Sequence, residues 1–353
     1  MKPAHRSDPE TCFDLVALGE LLIDFTPLPT AGGEALPRTF IAHAGGAPAN
    51  LACQAARLGR RCAYVGAIGN DALGHRIVAT LAAHDIDVSL VAVIPDAPTT
   101  LAFVDLKPDG ERDFSFVRNP GADTRLVMHS GLEALLARAR CLHHGALSLT
   151  HEPAFATTTA AVRQVREQGG LVSYDPNVRL PLWPDVGLLR SRSLGALAGC
   201  DLVKLSDDDL AVLEPEEGRE ALGAWFERYP LRLILLTSGR AGAEAIWRRA
   251  DGRVERTGVA ASDPGRPSVD STGAGDSFTG AFLSALFERL PSAAPTESRA
   301  NFAAWIDWVD HEEMRKLLRY AAQIAAISTT RSGGISSLGD EAERRRIFPS
   351  EKR

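Results

Sequence analysis

The chain reads as an α/β protein with a mostly parallel central sheet flanked by helices. Three observations predict this. Short apolar runs bounded by Gly or polar residues recur at 13–18, 62–68, 88–94, 141–149, 171–174, 202–205 and 233–237, each about the length of a buried strand. Stretches of helical period lie among them and after them, at 74–84, 154–168 and 312–327. Two further runs, 99–106 and 112–117, alternate around Pro108-Asp109-Gly110-Glu111 and read as a hairpin, which breaks the βα rhythm and so stands outside the main sheet. Such alternation implies right-handed crossovers and a ligand site at the carboxyl ends of the strands.

Bulk properties narrow the function classes. A chain of 353 residues is one large α/β domain or two of ordinary size. Hydrophobic content of 45% and charged content of 24% fit a globular protein. A net charge of −6 leaves no basic footprint for nucleic acid. No apolar run approaches the roughly 20 residues that span a bilayer, and the polar start lacks a signal core, so a cytoplasmic location without membrane contact is expected. The five cysteines, Cys12, Cys53, Cys62, Cys141 and Cys200, are scattered and form no C-x-x-C pair. They read as small buried hydrophobes in a reducing compartment.

In chain order, the first strand (13–18) ends at Gly19 and is followed by an apolar run that contains Asp24. A carboxylate there is costly to bury unless it is paired. It either faces water from an edge strand or accepts hydrogen bonds from ligand hydroxyls. Segment 28–40, rich in Gly, Pro and Ala, reads as an irregular connection. Next, His43-Ala44-Gly45-Gly46-Ala47-Pro48-Ala49-Asn50 runs into a helix that stops at Gly59. Asn50 stands at its start, where an amide both donates to and accepts from a polyol. The hairpin ends at Arg118, a solvated charge or a ligand contact. His143-His144 is not a metal pair, because neighbours on a strand point to opposite faces.

Past the strand at 171–174 comes Asp175-Pro176-Asn177-Val178-Arg179, where Arg179 either pairs with Asp175 or reaches a ligand. Ser206 and Asp207 to Asp209 would cap the helix after the 202–205 strand. The strand at 233–237 ends in Thr237-Ser238-Gly239-Arg240-Ala241-Gly242, a turn. Segment 290–311 is Ala/Pro/Ser-rich, and its Trp305 and Trp308, three apart, are expected to pack one helix face. The charged tail, 341–353, is expected to fray.

The chain is organised around Asp270-Ser271-Thr272-Gly273-Ala274-Gly275-Asp276-Ser277-Phe278, where a polar loop becomes an apolar helix. A helix start presents free N–H groups and positive potential, and glycines let an anion approach the main chain. Asp276 falls in the first turn. A carboxylate beside bound phosphate is ill suited to binding and well suited to taking a proton from an attacking hydroxyl. A plain Gly-rich loop with an acidic N-terminal residue is the alternative reading of the same stretch.

This stretch resembles the D-T-x-G-A-G-D signature of the ribokinase-like (PfkB) carbohydrate kinases, with Ser271 for the usual Thr. Gly45-Gly46-Ala47-Pro48-Ala49-Asn50 and Asp175-Pro176-Asn177-Val178-Arg179-Leu180-Pro181-Leu182-Trp183 resemble stretches of its fructokinase branch. The resemblance covers roughly residues 13–340, with the motifs in family order. It implies a ribokinase-like three-layer sandwich with a small β lid formed by about 25–45 and 98–120. It also implies transfer of the γ-phosphate of ATP to a sugar hydroxyl, most simply O6 of fructose, with Asp276 as base and Gly273, Ala274 and Gly275 as the anion hole. Sugar contacts carried over are Asp24, Gly45, Gly46, Asn50, Arg118, Asp175, Asn177 and Arg179. Nucleotide contacts are Lys204, Ser206, Thr237, Gly239, Gly242, Gly273 and Gly275.

Asp209 replaces a family Glu that acts on Mg²⁺ through water. Asp270, Thr272, Ser328, Arg331, Gly333 and Ser337 are implied to hold a monovalent cation, K⁺. A homodimer through the lid is a further expectation, since exposed lid strands pair readily. Rivals are a kinase of another sugar such as 2-keto-3-deoxygluconate and a silent sugar-binding protein. A hydride-transferring enzyme would need a G-x-G-x-x-G after the first strand, which Gly19-Glu20-Leu21 does not supply.

Overall fold

A computed structural model of the protein describes residues 12–28, 39–106, 112–292 and 294–349. The chain enters through β1 (Leu15–Leu18), which is wholly buried and lies inside a nine-stranded sheet. It leaves that sheet through β2 (Leu22–Pro27) and β3 (Phe40–Gly45), then returns by α1 (Ala47–Arg57) to β4 (Cys62–Gly69), parallel to β1. Helix α2 (Ala72–Ala83) leads to the edge strand β5 (Val91–Ile94). A second excursion makes β6 (Thr100–Leu106) and β7 (Arg112–Val117).

Regular alternation follows: α3 (Ser130–Leu136), β8 (Cys141–Gly145), α4 (Ala154–Glu167), β9 (Leu171–Asp175), α5 (Val186–Ala196) and β10 (Leu202–Ser206). Helices α6 (Asp207–Leu213) and α7 (Ala221–Arg228) precede β11 (Leu233–Thr237). Strands β12 (Ala243–Arg248) and β13 (Val254–Val259) then fold back antiparallel. Helices α8 (Ala274–Arg289), α9 (Ser298–Trp308), α10 (His311–Ser328) and α11 (Glu341–Ile347) close the described chain.

The sheet order is β13-β12-β11-β10-β9-β8-β1-β4-β5, parallel from β11 to β5. Side chains alternate between its two faces, as the pleat requires. Leu15, Ala17, Leu233 and Leu235 join a core with α1, α8 and α10. Val16, Leu18, Ile234 and Leu236 join a second core with α3, α4 and α7. Two apolar layers around one sheet give the expected three-layer sandwich.

The excursions form a separate four-stranded hydrogen-bonded sheet, β3-β2-β6-β7, on which Phe25 of β2 stacks on Phe103 of β6 at 4.8 Å. The hairpin thus stands outside the main sheet, as expected. Its turn at 108–111, and most of the 28–40 connection, lie outside the described residues.

Three expectations change. Phe40, read as the end of the irregular connection, instead opens strand β3, because β2 offers a partner that the local sequence does not reveal. In α9 the buried positions are Phe302, Trp305 and Ile306, followed by Val309. Trp308 falls on the opposite side of that stripe and is 76% exposed. The tail is not frayed through Ile347: Asp340 caps α11, and Arg344 is buried, bonded to Gln323 and Glu341 and lying over the Tyr320 ring.

Candidate active site

The centre of the site is the start of α8. Gly273 is its N-cap with φ +77, a left-handed conformation that suits glycine. Asp276 sits in the first turn and is buried. Burial raises its pKa above the usual carboxylate value; a hydrogen bond from Asn50 and the charges of Lys204 and Arg179 pull it back. The Ala274 N–H is turned onto the Ser271 carbonyl at 3.2 Å.

A second glycine junction faces it. Gly46 is the N-cap of α1 with φ +117, and a Cβ there would lie 2.3 Å from the Glu20 carbonyl oxygen. One turn later Asn50 Nδ2 donates to Asp276 Oδ2 at 2.8 Å. Asn50 Oδ1 is buried with no hydrogen-bond partner. The amide expected to meet a ligand therefore also holds the carboxylate.

On the lid side, Asp24 is buried rather than facing water. Desolvation pushes its pKa up to about 7, with Arg179 opposing and Asp276 and Asp270 adding to the rise. A Cβ on Gly45 would stand 2.4 Å from Asp24 Oδ2, so this glycine makes room for that carboxylate. Arg179 Nη1 donates to its neighbour's carbonyl, at Val178. The cation paired with Asp175 is Lys204: Asp175 Oδ2 accepts from Lys204 Nζ at 3.1 Å, both groups buried. Burial raises the Asp175 pKa to about 6, and Lys204 limits the rise. Burial works against the Lys204 ammonium, but Asp175, Asp209 and Asp276 outweigh it and hold its pKa above the ordinary value. Asn177, at φ +40, donates its N–H to Asp175 Oδ1.

Lys204 Nζ also borders the helix start, since a Cβ on Gly275 would stand 2.8 Å from it. Ser206 and Asp209 form a capping box on α6, as the bland reading expected. Asp209 Oδ2 takes the Ser206 N–H and O–H, and Oδ1 takes the Val178 N–H at 2.7 Å. That leaves acceptor capacity for about one water. The donor set therefore fits a metal reached through water. Among the described residues no group of three or more His, Cys, Asp or Glu is arranged to ligate a metal directly.

Thr237, Gly239 and Gly242 lie at the β11–β12 turn, where Gly242 has φ +107 and a Cβ would strike the Val259 carbonyl. Asp270 joins two loops: Oδ1 accepts from Thr272 N at 2.7 Å, and Oδ2 accepts from Gly333 N at 2.9 Å and Ser332 Oγ at 3.3 Å. Ser337 Oγ donates to Gly334 O and Ser328 Oγ to Ala325 O. The Arg331 guanidinium pairs with Glu343 of α11, so only its backbone is left to face a cation.

Arg118 is no solvated charge. It is buried, donates through Nε and Nη2 to Asp123 and reaches Thr150 Oγ1 and the Leu147 carbonyl. Asp123 also accepts from Thr100 Oγ1 at 2.6 Å, so one carboxylate ties the roots of both β6 and β7. Sequence reasoning missed Asp123 and Glu20. The signal for Glu20 was the one that exposed Asp24, an acid among apolar residues. The His143–His144 pair is buried, with His143 on Ser173 and His144 stacked on Tyr174. Desolvation lowers their pKa values to about 3 and about 4.

The chain as a whole is similar to several known proteins. Residues 13–341 match the pfkB family carbohydrate kinase profile. Probable fructokinase-5 of Arabidopsis thaliana is 34% identical over 342 residues, covering 96% of this chain and 98% of that protein. Fructokinase-2 of Zea mays is 36% identical over 327 residues, covering 92% and 90%. A solved fructokinase from Xylella fastidiosa with bound ATP superposes with a TM-score of 0.81 at 29% identity, covering 95% of this chain and 98% of that one. A fructokinase from Vibrio cholerae, solved with fructose, ADP and calcium, gives 0.77 at 27%, covering 97% and 100%.

Proposed function

The chain belongs to the pfkB family of carbohydrate kinases and is an ATP-dependent sugar kinase, and on that premise we propose that it phosphorylates D-fructose at O6. The single observation that carries the catalytic part is Asp276: a buried carboxylate at a glycine-opened helix start, held by Asn50 and flanked by Lys204. The acceptor identity is supported by the fructokinase relatives and by the fructose held in the Vibrio cholerae structure.

In this reading the sugar lies between α1, the lid and the loop after β9. Asp24, Asn50, Asp175 and Arg179 meet its hydroxyls, Gly45 lets Asp24 lie in place, Gly46 lets the start of α1 close over Glu20, and Asn177 shapes the loop. The unpartnered Asn50 Oδ1 is an acceptor for a sugar O–H. Arg118 supports the sugar site from the lid root, through Asp123. Asp276 takes the proton of the attacking hydroxyl. Its raised pKa keeps it a competent base near neutrality.

Charge developing on the transferring group meets the amides of Gly273 and Gly275 and the positive end of α8, with Lys204 beside them. The Ala274 amide joins them only if it leaves Ser271. Thr237, Gly239, Gly242 and Ser206 line the nucleotide side. Asp209 would hold Mg²⁺ through water, and the ion would supply positive charge to the phosphates. Asp270, Thr272 and the 328–337 loop would hold K⁺, which would add positive potential under the anion site. Lid closure would exclude water as a competing acceptor.

The protein works as a homodimer through the lid in this reading, because edge strands β3 and β7 expose Phe40, Ile41 and Val117. A monomer by light scattering overturns that. A cytoplasmic location accords with five unpaired cysteines. Among the described residues no helix is long and apolar enough to cross a membrane. The acceptor is tested by ADP release with fructose, glucose, mannose, ribose and 2-keto-3-deoxygluconate. Fructose should give the highest kcat/KM, and a clear preference for another sugar would replace it.

A further inference from the structure

We propose that Glu20 is a positioning residue for catalysis: its carboxyl group fixes the first turn of α1 and, through that turn, the hydrogen bond from Asn50 to Asp276. This rests on Asp276 being the base.

The first turn of α1 has an unusual cap. The first amides of a helix lack an intrahelical acceptor, and a Ser, Thr, Asp or Asn at the N-cap normally supplies one. Here the N-cap is Gly46, which has no side chain to offer. The N–H of Ala47, the first helical residue, goes instead to Glu20 Oε1 at 2.8 Å, from 27 positions earlier in the chain. Glu20 itself is held firmly. It is buried just past the end of β1, and its carbonyl accepts from Tyr64 Oη at 2.7 Å. Gly46 is folded closely over that same carbonyl, which explains why a Cβ there would collide with it.

The turn so fixed is the one that delivers Asn50. Asn50 N donates to the Gly46 carbonyl at 2.9 Å, closing the turn, and its side chain meets Asp276. The next turn of α1 is secured independently. Gln54 Oε1 accepts from Ser277 Oγ at 2.8 Å, and Gln54 Nε2 donates to the Gly339 carbonyl at 3.0 Å. Loss of Glu20 should therefore leave α1 docked on α8 and loosen only its first turn. The groups facing Glu20 are Arg118 and Asp123 at the lid root and Tyr64 on β4. Burial raises the carboxyl group to about pH 7, and its second oxygen, Oε2, has no partner. Glu20→Gln therefore keeps at Oε1 the acceptor that the Ala47 N–H uses.

The test follows the acid limb of kcat/KM for fructose, together with thermal melting. Asn50→Ala is the reference; it removes a hydrogen bond to the ionised base and should move the limb to higher pH. Glu20→Ala and Ala47→Pro break the anchoring bond from its two sides. Proline suits a first helical position, and Gly46, at ψ 127, already has the backbone that precedes one. Both variants should move the limb in the same direction, by about 0.5 pH or more, and lower kcat roughly 10-fold. Glu20→Ala with Asn50→Ala should be no worse than Asn50→Ala alone. Glu20→Gln keeps an acceptor oxygen and should restore the wild-type limb.

A limb that moves in Asn50→Ala but stays put in folded Glu20→Ala and Ala47→Pro overturns the proposal alone. A limb unmoved by Asn50→Ala removes the base assignment on which it rests. Should Glu20→Ala fail to fold, Ala47→Pro decides the matter by itself.

Discussion

Asn50 Nδ2 and Asp276 Oδ2 meet at 2.8 Å, joining the first turns of two helices whose residues lie 226 positions apart. Both belong to helix starts opened by a left-handed or extended-positive glycine, Gly46 and Gly273. The bond is buried and stabilises the ionised carboxylate, opposing the desolvation that raises its pKa. The acid limb of kcat/KM should therefore lie above the usual carboxylate range and move further upward in Asn50→Ala, with kcat/KM down about 100-fold at neutral pH. A pH–rate profile across pH 5 to 9 checks this.

The Lys204–Asp175 pair makes a second prediction. Removing one partner of a buried ion pair leaves an uncompensated charge and costs about 3–5 kcal/mol. Lys204→Met should show a loss of that order by denaturant unfolding at pH 8. The loss should shrink at pH 5, where Asp175, already raised to about 6, takes up a proton. Lys204→Met with Asp175→Asn should recover much of the stability and none of the activity.

Gly275→Ala should separate activity from stability. The new Cβ would stand 2.8 Å from Lys204 Nζ, a flexible side-chain end that can move. Alanine in a helix gains up to about 1 kcal/mol over glycine. Melting should be unchanged or higher, while kcat falls about 10²-fold or more, because the anion approach narrows and the ammonium is displaced.

Asp24 trades stability for function. It binds its proton more tightly folded, with pKa about 7, than unfolded, near 3.8. Between those values the folded state holds more protons, so its contribution to stability falls as pH rises. Asp24→Asn should gain on the wild type by on the order of 3 kcal/mol at pH 8 and by little near pH 4. Buried neutral His143 and His144 give wild-type stability the opposite slope below about 6.5, so the quantity to read is the difference between variant and wild type. Fructose affinity should fall in the same variant.

The sequence carried the strands, the helix starts and the order of motifs, because those depend on local period and on glycines that mark junctions. Gly273 and Asp276 were legible as a site for this reason. Partners distant in the chain were not. Nothing near Lys204 says that it meets Asp175 rather than leaving that role to Arg179, since both cations are compatible with the same loop. Phe40 reads as part of an irregular connection until β2 supplies its hydrogen-bond partner. Arg344 reads as one of a charged run, and only the Gln323 side chain and the Tyr320 ring make it an interior residue. Arg118 likewise became a lid anchor only once Asp123 was in place beside it.

The proposed mechanism turns on Asp276 as the base. The direct measurement is kcat for Asp276→Asn against wild type in a coupled ADP-release assay with fructose, with ATP and fructose binding followed by calorimetry. In Asp276→Asn, kcat should fall about 10³-fold or more with both ligands still bound and the melting temperature retained. A folded Asp276→Asn protein with kcat within about 10-fold of wild type would contradict it.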